Sequence, residues 1–257
     1  MSSASFWLVL IETSGNQRHI FETNKLAENV GALEQLYRLG TSEVLEAIRR
    51  VFPDSMSELL NADDVHDPGI NCRIEDAETQ IEVWYLSSGK ALLFVRDWDD
   101  GRKIVQHVTR TAAVSYPGVV VRGAIQEICN FTVKDLSAAV KAIHKNVESK
   151  RSTLPPEERR FQRLPVVAEC RPSGLPAAGI ISEGKQLIDV SAVSAAKRGG
   201  LDHKLQEEWR ESIRKRMSDV IPAELLSAAT LEHMAQITKA DLLPIVTVPA
   251  QRRSRMR

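Results

Sequence analysis

Cysteine is scarce in this chain, net charge is absent and no apolar run is long, and each lack narrows what the protein can be. There are three Cys in 257 residues, an odd number without a Cys-x-x-Cys pair. That argues against a disulfide framework and fits a reducing compartment. Lys+Arg and Asp+Glu balance at 34 each, so no global basic footprint for nucleic acid exists. The exception is residues 251–257, QRRSRMR, with four Arg and no acid. Such a tail is a solvated end or a weak phosphate contact. No Lys or Arg precedes Arg18, and the first apolar run extends only from Phe6 to Ile11. Neither a signal peptide nor a membrane-spanning helix is expected, and the expected location is cytoplasmic. No internal repeat and no low-complexity segment is found. With 43% hydrophobic residues, the chain can bury a core in one or two domains.

The first 130 residues read as β-α-β-β-α-β. An apolar strand, Phe6 to Glu12, leads through the turn Thr13-Ser14-Gly15-Asn16 to a helix over Asn24 to Leu39. Leu26, Val30, Leu33, Leu36 and Tyr37 mark one face of that helix. Thr41 to Phe52 predicts a second helix, stopped by Pro53, and Asn61 to Glu78 a loop. Gln80 to Leu86 and Ala91 to Val95 predict a hairpin around Ser87-Ser88-Gly89-Lys90. Asp100 to Tyr116 predicts a helix and Val119 to Ile128 the last strand, with Gly123 at a bulge. This order predicts an α+β fold, a ferredoxin-like split β-α-β sheet with strands one and three central and two principal helices on one face. Residues 131–257 read as a mainly helical region. Helices are expected over Phe131 to Arg151, Leu201 to Val220 and Pro222 to Ile237, with an irregular Pro/Gly-rich segment at 163–179.

The chemistry legible in the residues is sparse. Gly15 in a strand-to-helix turn permits close approach of a ligand to the backbone. Ser14, Gly15 and Gln17 are therefore candidate nucleotide contacts, as are Ser88, Gly89 and Lys90 at the hairpin. Glu12 is the candidate metal ligand. Magnesium-dependent phosphoryl transfer needs a second carboxylate, and the hairpin offers Gly89 and Lys90 instead. No catalytic residue is assigned. Cys72, Cys129 and Cys170 stand alone and no His-x-x-x-His occurs, so structural zinc is not expected. Gly199-Gly200 lacks the Gly-Lys-Ser/Thr end of a phosphate loop.

Ile11-Glu12-Thr13-Ser14-Gly15-Asn16-Gln17, followed by Ile20-Phe21, resembles the opening of the first palm domain in the large polymerase-type subunit of type III CRISPR complexes. In that family a strand ends in an acid-x-Ser-Gly-Ile-Gln turn before an Ile-Phe pair. Asn24-Lys25-Leu26 and Gly31-Ala32 resemble the family's next helix. Ser87-Ser88-Gly89-Lys90 resembles its Gly-Gly hairpin, and Cys170-Arg171-Pro172-Ser173-Gly174 its zinc knuckle in worn form. The resemblance runs from about Phe6 to Ala178. The departures are Asn16 for an apolar residue, Leu33 for the Ser of a Gly-x-Ser, and Ser173 for a second Cys. The Gly-Gly-Asp-Asp hairpin that carries catalysis on the family's second palm is not found in this sequence.

The resemblance implies a non-catalytic nucleotide-binding or scaffold palm module of a CRISPR-polymerase-like antiviral system. ATP with Mg2+ is the implied ligand. The implied partners are a second palm domain or another protein chain, with RNA met only within a complex and no membrane. One alternative is part of a nucleotidyltransferase or cyclase whose catalytic palm is missing or on another chain. A ferredoxin-like protein-interaction domain is the other.

Overall fold

A computed structural model describes residues 6–129, 132–150, 161, 163–183 and 185–217. The helix expected over Pro222 to Ile237 and the basic tail lie outside the described residues. The first unit runs β1 (Phe6–Ser14), α1 (Asn16–Phe21), α2 (Leu26–Gly40), α3 (Ser42–Val51), β2 (Ile81–Ser87), β3 (Lys90–Val95), α4 (Trp98–Ser115) and β4 (Val120–Ile128). It is followed by α5 (Val133–Ser149), a hairpin of β5 (Ala177–Glu183) and β6 (Gln186–Ser191), α6 (Ala192–Lys197) and α7 (His203–Met217).

The four strands form an antiparallel sheet in the order β2-β3-β1-β4, with β1 and β3 inside. The sequence explains which strands are inside. In β1, Leu8, Val9, Leu10 and Ile11 are all buried, and in β3 so are Ala91 to Val95. A strand apolar on successive residues needs cover on both faces. The outer strands interleave polar residues such as Glu82, Arg122 and Gln126.

Both covers are present. On one face Val9, Ile11 and Leu93 pack with Leu36 and Leu39 of α2, Ile48 of α3, and Ile104 and Val108 of α4. On the other, Leu8, Leu10, Leu92 and Phe94 join Ala124 and Ile128 of β4 and Ala139, Ile143 and Val147 of α5. The two principal helices, α2 and α4, share one face as expected, and α5, from beyond β4, adds a cover on the other. α5 lies over β4 and β1; among the described residues no helix packs broadly on the β3–β2 half of that face, where Ile74 of the loop before β2 joins the core.

Three local expectations change. The register of β1 with β4 runs unbroken through Gly123, opposite Ile11, so no bulge stands there. A Cβ on Gly123 would come 2.3 Å from Cγ1 of Val105, and glycine instead lets α4 approach the sheet. The bulge is in β2, between Val83 and Tyr85. Next, the segment between Gly15 and Leu26 contains the short helix α1, with a bend at 22–25 before α2. Finally, the Pro/Gly-rich stretch runs into a hairpin, whose strands put Ile181 and Val190 against Ala195 of α6.

α4 starts where Asp97 caps it, its carboxylate accepting from the amide of Asp99. α5 starts likewise at Thr132, whose hydroxyl accepts from the amide of Asp135. α6 follows β6 through Ser191, which accepts from the amide of Ser194. Among the described residues no helix is long and apolar enough to cross a membrane.

Candidate functional site

The end of β1 and the β2–β3 hairpin meet at one end of the sheet. The Thr13 amide donates to the Gly89 carbonyl at 2.7 Å, and the Thr13 hydroxyl reaches the same oxygen at 3.1 Å. The Gly89 amide donates to the Leu36 carbonyl at 2.7 Å. Gly89 is thus a buried structural joint between β1, the hairpin and α2, with both backbone groups occupied. Ser88 is exposed beside it.

Alternation along β1 sends Glu12 and Ser14 to the face of Leu8 and Leu10, the face that α5 covers. Glu12 lies directly opposite Lys90 on β3 and Arg122 on β4. Three strands thus place cation, carboxylate and cation in one row across the sheet. The Lys90 ammonium is 3.8 Å from the Glu12 carboxylate. His144 of α5 closes the group, its Nδ1 being 3.6 Å from the same carboxylate oxygen and its Nε2 3.4 Å from Lys90 Nζ. Arg122 donates to the Ser14 hydroxyl. Glu12 and Lys90 are partly covered, with side-chain exposures of 23% and 34%.

Gly15 follows in the left-handed conformation, φ 72°, and its carbonyl accepts the first bond of α1, from the His19 amide. Gln17 is exposed on α1. An open depression of about 480 Å³ is bounded by residues 13–18. Of the sequence candidates, Glu12, Ser14 and Lys90 come together on one face, Gly15 and Gln17 form the adjoining rim, and Gly89 fastens the two loops.

A buried polar layer holds this turn from behind. Lys197 of α6 has a fully buried side chain, which donates to the His19 carbonyl at 2.6 Å and to Glu22 at 2.9 Å. Glu28 of α2, also fully buried, accepts twice from Arg198 and once each from Thr23 and Ser194. Every charge in the layer is paired, as buried charges must be. α6 thereby fixes the C-terminal end of α1 relative to α2.

Arg122 and His144 did not stand out from the sequence. The pairing of β1 with β4 would have revealed Arg122, since once strands pair antiparallel a residue opposite Glu12 follows by counting. His144 sits on the polar edge of an otherwise ordinary amphipathic helix, and nothing local marks it.

Cys170 is buried, with Sγ 3.7 Å from the Ser194 hydroxyl. Burial pushes its thiol pKa up, but hydrogen bonds from the Ser173 hydroxyl and amide and the Ser191 amide outweigh it, leaving the pKa below the usual thiol value. Among the described residues no group of three or more His, Cys, Asp or Glu side chains is arranged to hold a metal ion. In comparison with known proteins, no family and no curated protein matches this chain.

Proposed function

We propose that this chain is a non-catalytic palm-type module, ferredoxin-like in its sheet, that binds a nucleotide phosphate without a metal ion and serves as a scaffold. The observation that carries the reading is the row Lys90–Glu12–Arg122 with His144 across its end. A palm that transfers phosphoryl groups needs two carboxylates at the end of its first strand and on the neighbouring hairpin, to hold two metal ions. Here the hairpin position opposite Glu12 is a lysine. Its ammonium places one positive charge beside Glu12 and repels a divalent cation. The same lysine, with the Ser14 hydroxyl and Arg122 next to it, suits an anionic phosphate. Gly15 and Gln17 form the side on which a nucleotide would lie.

The order β2-β3-β1-β4 with its two crossovers supports the ferredoxin-like assignment. The setting follows from the resemblance of the Glu12 to Phe21 segment to the first palm of type III CRISPR large subunits: an antiviral complex in which a second palm or another chain is the partner. The test is incubation of the purified protein with ATP and Mg2+ or Mn2+. No pyrophosphate should form, and Lys90→Ala should weaken ATP binding, with more loss at low salt than at high. Sustained turnover that disappears in Glu12→Ala would overturn the reading.

A further inference from the structure

We infer that the β3–β2 half of the sheet face, beside α5, is a platform for single-stranded nucleic acid, with bases stacked on Trp84 and Tyr85 and phosphates drawn to Lys90. This rests on the nucleotide reading above and gives the class of its ligand.

The bulge in β2 creates the platform. Strict alternation would send Trp84 and Tyr85 to opposite faces. Val83 lies opposite Leu93 but Tyr85 lies opposite Leu92, so Trp84 is the extra residue. Bulges re-aim side chains in this way. Trp84 stands over Phe94, ring centroids 5.2 Å apart and tilted by 33°. Tyr85 shares a face with Leu92, its direct partner. Leu92 and Phe94 both belong to the core on the α5 side. Both aromatic residues are therefore on that face, and they are 44% and 49% exposed over a buried floor.

The cations lie where a backbone would pass. Lys90 is the diagonal neighbour of Tyr85 across the hairpin, two positions from Leu92 on the same face. His144 contacts Lys90 from the edge of α5, and exposed Lys141 lies three residues earlier on that helix, on the same edge. Glu12 is the acid within this group, and it is engaged by Lys90 and His144. Half-exposed aromatic rings next to cations are how single strands are held without sequence readout, because every base has a face to stack. A four-stranded sheet that presents aromatic rings on its open face is an established RNA-binding geometry. The chain's zero net charge does not oppose this, because the attraction is local.

The test is fluorescence anisotropy of a short labelled oligouridylate and of the matching oligodeoxythymidylate at low and moderate salt, alongside calorimetry with ATP. At least one strand should bind, and the comparison reads whether the 2′-hydroxyl matters. Trp84→Ala and Tyr85→Ala should each weaken binding about tenfold. Trp84→Phe should retain most of it. Lys90→Ala should lower the slope of log affinity against log salt by about one. Tyr85, the more exposed ring, serves where Trp84→Ala melts early. Absence of binding, or binding unaffected by both alanine variants, overturns the platform. So does self-association of the wild-type protein relieved by Tyr85→Ala without oligonucleotide binding, which would give the face to a second copy. If ATP binds but no strand does, the platform falls and the nucleotide reading stands. If a strand binds through the rings but ATP does not, the platform stands and the separate phosphate site falls.

Discussion

Glu28 is fully buried, and four donated hydrogen bonds from Arg198, Thr23 and Ser194 make that burial tolerable. Removing the carboxylate leaves the Arg198 guanidinium, whose side chain is 8% exposed, facing only the more distant Glu183 carboxylate at 3.8 Å among the described residues. Glu28→Ala should therefore cost about 3–5 kcal/mol, read as a lower urea midpoint at unchanged slope. Gly31 is under a different constraint. A Cβ there would come 1.7 Å from the Lys197 carbonyl oxygen, which belongs to backbone and cannot swing aside. Gly31→Ala should force α2 and α6 apart and cost about 1–3 kcal/mol or more. Tyr116 carries a pH effect. Burial first, then its hydrogen bond to Glu43 at 2.7 Å, push its phenol pKa above the ordinary 10.0. The folded state thus keeps a proton that the unfolded chain releases. The resulting stability is complete below about pH 10 and is lost as pH rises beyond it. Tyr116→Phe should flatten that alkaline decline in denaturant titrations. At this scale the sequence singled out Ser14, Gly15 and Lys90 as candidates through their turns, but not Arg122 or His144. Those two come beside Glu12 only once β4 pairs with β1 and α5 packs on the sheet.

At the scale of elements, the apolar runs of β1 and β3 were the most readable signal. In the structure these runs form the inner strands, and because residues at both parities are buried they need a second cover, which the sequence reading did not include. α5 provides that cover, and its stripe of Leu136, Val140, Ile143 and Val147 was visible, whereas its docking site was not. Helical periodicity identifies an apolar face without naming its partner. Ile143 is completely buried, so Ile143→Ala should cost about 2–5 kcal/mol of stability. It should also disturb the His144 contacts and so weaken ATP binding, which calorimetry checks. The β5–β6 hairpin was hidden by its surroundings. Pro172, Gly174, Pro176 and Gly179 read as irregular structure, and the strand Ala177–Glu183 begins within that stretch. α1 escaped a reading that placed a turn at Thr13 to Asn16 and started the helix at Asn24; Lys197 of α6 holds its C-terminal end.

For the whole molecule, both sheet edges are guarded. The Asn71 side chain bonds both backbone groups of Val83 on β2, at 2.8 and 2.9 Å, taking the place of a fifth strand. On β4, Lys150 donates to the Gly123 carbonyl at 3.1 Å. Such devices discourage strand addition. What remains open is the face where the loops after β1 and around the hairpin meet, and this is where the proposed nucleotide site lies. The strand order was legible from the sequence because short connections and right-handed crossovers leave few alternatives. The residues of the candidate site were named from the sequence, but not their arrangement. That Lys90 lies directly opposite Glu12 is a statement about register, which the structure supplies. Calorimetric titration of ATP into the purified protein, with Mg2+ and with a chelator instead, decides whether this site takes a nucleotide without a metal ion. ATP should bind in both conditions, no tighter with Mg2+, and more weakly in Lys90→Ala. Binding that requires Mg2+ and is lost in Glu12→Ala would contradict that expectation.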